Sequence, residues 1–315
     1  MRKQRKQCKI FSQIFNIDFL RFLAAGQTIN WPQATLKSAA GQEPPKHKKF
    51  LCNMKSVPND KTIHSFSVKG LWGEKDICWD KINPDMNILV GINGSGKTTL
   101  VNLMYAYYRD TKALRKIKHT EVKSSPDVAQ LADTEIVYVR NLDVPTRRKE
   151  ESPLLQELEN AVYQNKSSNS LFSYRMKMVD YPERYNEIQG RMQQLQQVVD
   201  GFFSETGKTM TILDGRLFFE TRHGNVCQLD GLSSGEKQML LILLRVFLLE
   251  AKSAVVFLDE PEISLHIGWQ QLLLDTLTTL NPNAQFIVTT HSPSMFGRGW
   301  GDKVVYMEDI LTDAK

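Results

Sequence analysis

The sequence predicts an α/β fold, a mixed sheet flanked by helices and carrying a helical insertion lobe. Three observations predict it. Short uninterrupted apolar runs, ILV at 88–90, VVFL at 255–258 and FIV at 286–288, have the length and β-branched character of strands buried on both faces. Stretches of helical period at 236–250 and 267–280 alternate with the later runs, the pattern of a parallel sheet covered by helices. Between the first run and the last two, Tyr185, Ile188, Met192, Leu195, Val199 and Phe202 recur at spacings of 3, 4, 3, 4 and 3, which places them on one helical stripe.

Taken in order, residues 1–53 lack clean periodicity and contain the turn-rich GQEPPKHKK. They read as an extension before Met54, either an arm, a leader or an over-long start. Eleven Lys/Arg stand against Asp18 and Glu43 in residues 1–55, a net charge of +9, so the overall +5 leaves −4 on the rest. Such a basic stretch attracts nucleic acid or an acidic partner, or is simply a solvated tail. TIHSFSVKG and DICWDKI predict two strands about a Gly73 turn, NILVGI a buried strand, and a helix starts near Lys97. EIVYVR (135–140) predicts another strand, and Ser152 with Pro153 marks a helix start. A helix from about Glu183, too short for an extended coiled coil, leads into a hairpin turning at Asp214-Gly215. Strands at 254–258, 285–290 and 303–307 complete the sheet. The expected organisation is thus an extension (1–53), one half of the α/β domain (54–140), a helical insertion and hairpin (141–230), and the other half (231–315).

Composition narrows the class. With 41% hydrophobic and 24% charged residues the chain is neither disordered nor fibrous. Cys8, Cys52, Cys78 and Cys227 form no CxxC pair, so neither a zinc site nor a disulfide framework is predicted and a cytoplasmic location is expected. The longest apolar run, 239–249, is about half of the roughly 20 residues a bilayer span needs.

Chemistry concentrates in four places. NILV runs into GINGSGKT (91–98), the GxxxxGK[ST] pattern between a strand and a helix. There Asn93, Gly94, Ser95, Gly96 and Thr99 present backbone N–H groups to phosphate oxygens, Lys97 reaches the β and γ phosphates, and the Thr98 hydroxyl is a Mg²⁺ ligand. VVFLDE ends a buried strand in two carboxylates, at the sheet edge where ligands of parallel sheets bind. Asp259 is placed to hold Mg²⁺ and Glu260 to orient or deprotonate the attacking water. LSSGEKQ sets Ser233 three residues before Glu236 at a helix start, which reads either as a capping box alone or as an anion site aimed at a phosphate. FIVTTHSP ends a strand at His291, a candidate contact for a γ-phosphate.

In this order the four elements resemble the ATP-binding-cassette class of ATPases over roughly residues 62–310. GINGSGKT is similar to its Walker A loop, LSSGE (232–236) to its signature, VVFLDE to Walker B, EISLH (262–266) to its D-loop, and His291 to its switch histidine. The resemblance implies ATP and Mg²⁺ as cofactors and a homodimer or higher oligomer in which Ser233 and Gly235 act in trans on the other subunit's γ-phosphate. LDEPEISLH resembles the RecF, SMC and OLD branch, and most nearly the stand-alone ATPases of antiphage systems, the Septu and retron-associated ATPases. The family's Q-loop glutamine after EIVYVR is missing, with Arg140 or Asn141 near its place. Only 24 residues follow His291, so a nuclease or other effector is expected on a separate polypeptide.

Two other functions fit parts of the pattern. A DNA-repair clamp would use Lys112, Arg115, Lys116, Lys118 and 147–149 on nucleic acid. A transporter's ATP-binding subunit would need a separate membrane protein, since direct membrane insertion is not expected. The missing Q-loop glutamine and EISLH argue against it. Trp72 and Trp79, ahead of the Walker A loop, read as hairpin or core residues before adenine-stacking ones.

Overall fold

Apolar runs flanked by helices resolve into five strands that all run parallel. The computed structural model describes residues 61–140, 152–164, 169–213 and 215–314, all within one compact unit, Leu51–Lys315. Strands β1 (Ser65–Leu71), β2 (Lys75–Trp79) and β3 (Met86–Val90) precede helix α1 (Lys97–Arg109) and the single turn α2 (Thr111–Leu114). Strands β4 (Glu121–Ser125) and β5 (Glu135–Val139) follow. The lobe holds α3 (Pro153–Tyr163), α4 (Leu171–Asp180), α5 (Tyr185–Phe203) and the small sheet β6 (Lys208–Leu213), β7 (Arg216–Thr221), β8 (Val226–Cys227). Then come α6 (Ser234–Phe247), β9 (Ala254–Asp259), α7 (Ile267–Leu280), β10 (Ala284–Thr290), β11 (Val304–Tyr306), α8 (Met307–Ile310) and β12 (Leu311–Asp313).

The central sheet has the order β11-β3-β10-β9-β5, parallel throughout. The antiparallel strands do not join it. They form a separate sheet, β12-β2-β1-β4, so the expected mixed sheet divides in two. The two-residue side-chain period of a strand sorts the core. On β9, Val255 and Phe257 pack with α1 and the antiparallel sheet, while Ala254, Val256 and Leu258 pack with α6, α7 and the lobe. Ile287 and Leu89 face the first side, Phe286, Val288 and Ile88 the second. Each such buried Val, Leu, Ile or Phe side chain stabilises the fold by about 1.5–3 kcal/mol relative to exposure. Helix α6 is buried on nearly every side: Met239 through Leu244 are all within 1% of full burial. This explains a run too apolar for a surface helix and too short for a membrane. Among the described residues no helix is long and apolar enough to cross one.

The amino ends of the strands are fastened by buried amides. Gln285 accepts from the Ile63 N–H at 2.7 Å and donates to the carbonyls of Ile63 and Asn83, both at 2.7 Å. Asn87 accepts from the Asn83 N–H at 2.7 Å and donates to the Asn83 and Phe286 carbonyls. The opposite, carboxyl edge is left to carry the loops.

Several expectations change at the level of residues. Tyr185 is 46% exposed, so the α5 stripe begins at Ile188 and includes Val198 and Phe203 instead. Helix α6 starts at Ser234 and ends at Phe247, before Glu250 and Ala251 take positive φ. Strands β4, β8 and β12 and helix α4 were not predicted, the strands being short and polar in pattern. Trp79 is core, whereas Trp72 is 42% exposed in the β1–β2 turn. The extension 1–53, Met54, Asn141, residues 147–149, Asp214, Cys8 and Cys52 lie outside the described residues.

The hairpin is clamped to α6 by charge. Glu236, 1% exposed, receives the Lys208 ammonium at 2.7 Å on both oxygens and the Ser233 N–H at 2.8 Å. Burial opposes its charge, but Lys208 and the Ser233 N–H hold the carboxyl below the ordinary 4.5. A depressed carboxyl gives stability that is full above 4.5 and is lost as pH falls through the lower folded value. Lys208→Met strands the buried carboxylate and costs about 3–5 kcal/mol at neutral pH. In denaturant titrations the gap from the parent closes in acid as Glu236 protonates. A gap that does not vary with pH would assign the loss to packing alone.

Candidate functional site

The site lies at the carboxyl ends of β3, β9 and β10, adjacent parallel strands. From β3 the chain turns through 91–96 into α1 with no side-chain cap on the helix, whose first N–H groups are left facing the loop. Gly94 and Gly96 take φ of +80° and +98°, and a Cβ on Gly96 would come within 3.0 Å of the Trp72 ring. Only glycine suits such a conformation at so close an approach. Trp72 therefore flanks the loop from the turn of the β1–β2 hairpin, the hairpin place expected for it.

Lys97 is buried and folds back over the loop, donating to the carbonyls of Gly91 at 2.9 Å and Ile92 at 3.1 Å. Burial pushes its ammonium below the usual lysine value, while Glu260, Asp259 and Glu262 pull the other way. The Ser95 hydroxyl oxygen is sealed from solvent without a hydrogen-bond partner. Asn93, Gly94 and Thr98 are exposed, and Ser95, Gly96 and Thr99 half-buried.

Asp259 ends β9 and collects donors from three neighbours. Thr98 Oγ1 donates to its Oδ1 at 2.9 Å, Thr289 Oγ1 to the same oxygen at 2.7 Å, and the Tyr138 hydroxyl to Oδ2 at 3.4 Å. Tyr138 sits under the Arg140 guanidinium, 4.7 Å from its ring centre, and burial first and the Asp259 charge second raise its hydroxyl far above the ordinary value. The tyrosine lies within β5, two residues before Arg140, near which the Q-loop glutamine is expected. No local signal marked it, because its partner lies 121 residues away. Thr98 and Asp259 are hard oxygen donors of the kind Mg²⁺ takes. Among the described residues no group of three His, Cys, Asp or Glu could hold a metal by itself. Mg²⁺ ordinarily needs only one or two protein oxygens, with phosphate and water supplying the rest, so the residues present fit that ion.

Glu260 follows at φ +47°, strained for a non-glycine residue. Its N–H bonds both the carbonyl and the hydroxyl of Thr289, at 3.1 and 3.0 Å, which pins the strained peptide to β10. Its carboxylate meets His291 Nε2 at 2.9 Å. The structure thus brings Lys97, Thr98, Asp259, Glu260 and His291 together, from three segments spread over almost 200 residues.

Ser233 and Gly235 are engaged elsewhere. Ser233 caps α6, its hydroxyl accepting from the Glu236 N–H at 3.3 Å, in a complete capping box. Gly235 is buried under the turn after β9. A Cβ there would stand 2.3 Å from the Ser264 carbonyl oxygen, so packing within the chain already demands glycine. The exposed Ser233 marks the helix N-terminus as open to solvent.

Comparison with known proteins bears on the family and the fold. A 75-residue stretch is 39% identical to the "Retron Ec83 probable ATPase" of Escherichia coli, covering 20% of this chain and 14% of the relative. A 207-residue stretch is 22% identical to the "Retron Vc95 probable ATPase" of Vibrio cholerae, covering 59% of this chain and 40% of the relative. The matches therefore span well under two thirds of either relative. Among solved structures, an SMC head bound to the C-winged helix domain of ScpA superposes with a TM-score of 0.50 at 12% identity, over 75% of this chain and 91% of that one, a likeness of fold. The family described as "AAA domain, putative AbiEii toxin, Type IV TA system" matches residues 107–296, well over half of the chain, from within α1 to beyond His291. This chain belongs to that family of ABC-like ATPases.

Proposed function

We propose that the protein is an ATP-driven switch that binds ATP at 91–99, hydrolyses it, and gates a separate effector in antiphage defence. The observation that carries this reading is the pairing of Thr98 with Asp259 at 2.9 Å and of Glu260 with His291 at 2.9 Å, beside Lys97 on one sheet edge. Lys97 exchanges its loop carbonyls for phosphate oxygens, and the α1 N-terminus adds its positive potential. Glu260 orients the attacking water and accepts its proton, and His291 positions Glu260 against the γ-phosphate. Thr98 and Asp259 would hold Mg²⁺, which when bound neutralises charge on the phosphates.

In the same reading two copies close on ATP, each offering Ser233 and the α6 N-terminus to the other's γ-phosphate. Hydrolysis removes that bridge and separates the halves. Residues 141–230 serve as the inserted lobe between the two ATPase halves, 54–140 and 231–315. The names of the retron relatives support a place in a retron-like defence system. The effector would be a partner such as a nuclease, with nucleic acid as a further ligand of the assembly.

Lys97→Ala should abolish nucleotide binding in isothermal titration at concentrations that saturate the parent. Glu260→Gln should keep binding, lose hydrolysis by about 10²- to 10⁴-fold, and accumulate as an ATP-bound dimer in native mass measurements. A Glu260→Gln variant equally monomeric with and without Mg-ATP would sink the two-copy sandwich.

A further inference from the structure

The carboxylate of Glu262 does more hydrogen bonding than its position in a surface turn requires. It is 8% exposed. Its Oε1 accepts from Thr290 Oγ1 at 2.6 Å and from the His291 backbone N–H at 2.7 Å. Its Oε2 is sealed from solvent with no hydrogen-bond partner. Burying a carboxylate oxygen unpaired is costly, and a neutral amide could serve the same two donors, so packing alone gives no reason for a charge. The bonds it makes are short and charge-assisted, and they fall on the backbone of the residue whose imidazole meets Glu260.

The same residue is tied to the turn from which it comes. Thr290 Oγ1 accepts from the Ser292 N–H at 3.0 Å, and the Ser292 hydroxyl donates to Gln270 Oε1 at 2.7 Å. Gln270 Nε2 returns to the carbonyls of Glu262 at 3.3 Å and Leu265 at 3.0 Å. A closed circuit of hydrogen bonds therefore joins the end of β10, the start of α7 and the 261–266 turn. Within that turn Ile263 N–H bonds the Glu260 carbonyl at 3.2 Å, and Ser264, at φ +66°, sets its carbonyl against Gly235.

We propose that Glu262 is a positioning residue: by holding the His291 N–H and the Thr290 hydroxyl on one oxygen, it fixes His291 against Glu260 and locks the turn that seats the α6 N-terminus. The proposal rests on the ATPase reading above and deepens it. Glu262 does not itself touch the reacting groups. It acts through His291 and through the backbone that carries Glu260, where a misplacement of about 1 Å is enough to cost about a hundredfold in rate.

The test compares the full-length parent, Glu262→Ala, Glu262→Gln and Thr290→Val. Each is assayed by steady-state ATP hydrolysis, by binding of a fluorescent non-hydrolysable ATP analogue, and by ¹H–¹⁵N NMR of the nucleotide-free protein. Glu262→Ala should lower kcat about tenfold to a hundredfold with KM within about twofold. Glu262→Gln, which keeps an acceptor oxygen, should recover most of kcat. The His291 amide proton, shifted downfield in the parent, should move upfield in Glu262→Ala and lie between in Glu262→Gln. A hydrolysing parent whose Glu262→Ala variant retains its kcat overturns this inference alone. A parent that binds the analogue and does not hydrolyse ATP overturns the ATPase reading beneath it. Should Glu262→Ala fail to fold, the near-isosteric Thr290→Val decides, with a kcat about fivefold lower at unchanged KM expected and an unchanged kcat refuting the proposal.

Discussion

One carboxylate holds the edge of the sheet together. Asp259 is 9% exposed at the end of β9, and a charge so placed persists only if polar neighbours replace the water it lost. Those neighbours are Thr98 at the start of α1, Thr289 on β10 and Tyr138 on β5. Helix α1 is thereby fixed relative to three strands. The loop before it, the strained peptide of Glu260 after Asp259, and the end of β10 all take their places from the same centre. The amides of Gln285 and Asn87 do the corresponding work at the other edge, where nothing reactive is placed.

Around that centre the architecture separates rigidity from access. Both faces of the parallel sheet are covered, one by α1 and the antiparallel sheet, the other by α6, α7 and the lobe. Polar side chains cluster where the strands end because only there can loops reach both solvent and the interior. The strain at Glu260 is tolerated because two hydrogen bonds to Thr289 over-determine that peptide. The LSSGE segment (232–236) stands on the same framework through the Ser264–Gly235 contact and the Lys208–Glu236 pair.

Much of this was written locally in the sequence. The loop at 91–98, the apolar strand ending in Asp259 and Glu260, and the strand ending in His291 are contiguous patterns whose spacing alone fixes their places on strand ends and helix starts. Two of these patterns, the strands ending at 259–260 and at 291, fall within the residues 107–296 that show the family. Features that depend on distant partners were not legible. Tyr138 looks like an ordinary strand aromatic until Asp259 is placed beside it. Glu262 looks like a turn residue until the end of β10 arrives, and Lys208 like a solvated hairpin lysine until α6 buries Glu236. Strands β8 and β12 carry too few apolar residues to produce a period, and they exist because a neighbouring edge offers hydrogen bonds. Tyr185 has the correct spacing for the core stripe, yet stands on the first turn of α5, where nothing packs above it closely enough to bury it.

The lysine folded over its own loop has a thermodynamic meaning. Its two carbonyl partners tie the side chain to the 91–92 backbone. In the proposed reading, binding a phosphate would be an exchange of acceptors at one ammonium, carbonyl oxygen for phosphate oxygen, with little conformational entropy left to be lost. Affinity at such a loop follows the charge and number of the incoming phosphates more closely than the length of chain that surrounds them. In the proposed reading, discrimination between triphosphate and diphosphate would then be an electrostatic property of the loop itself.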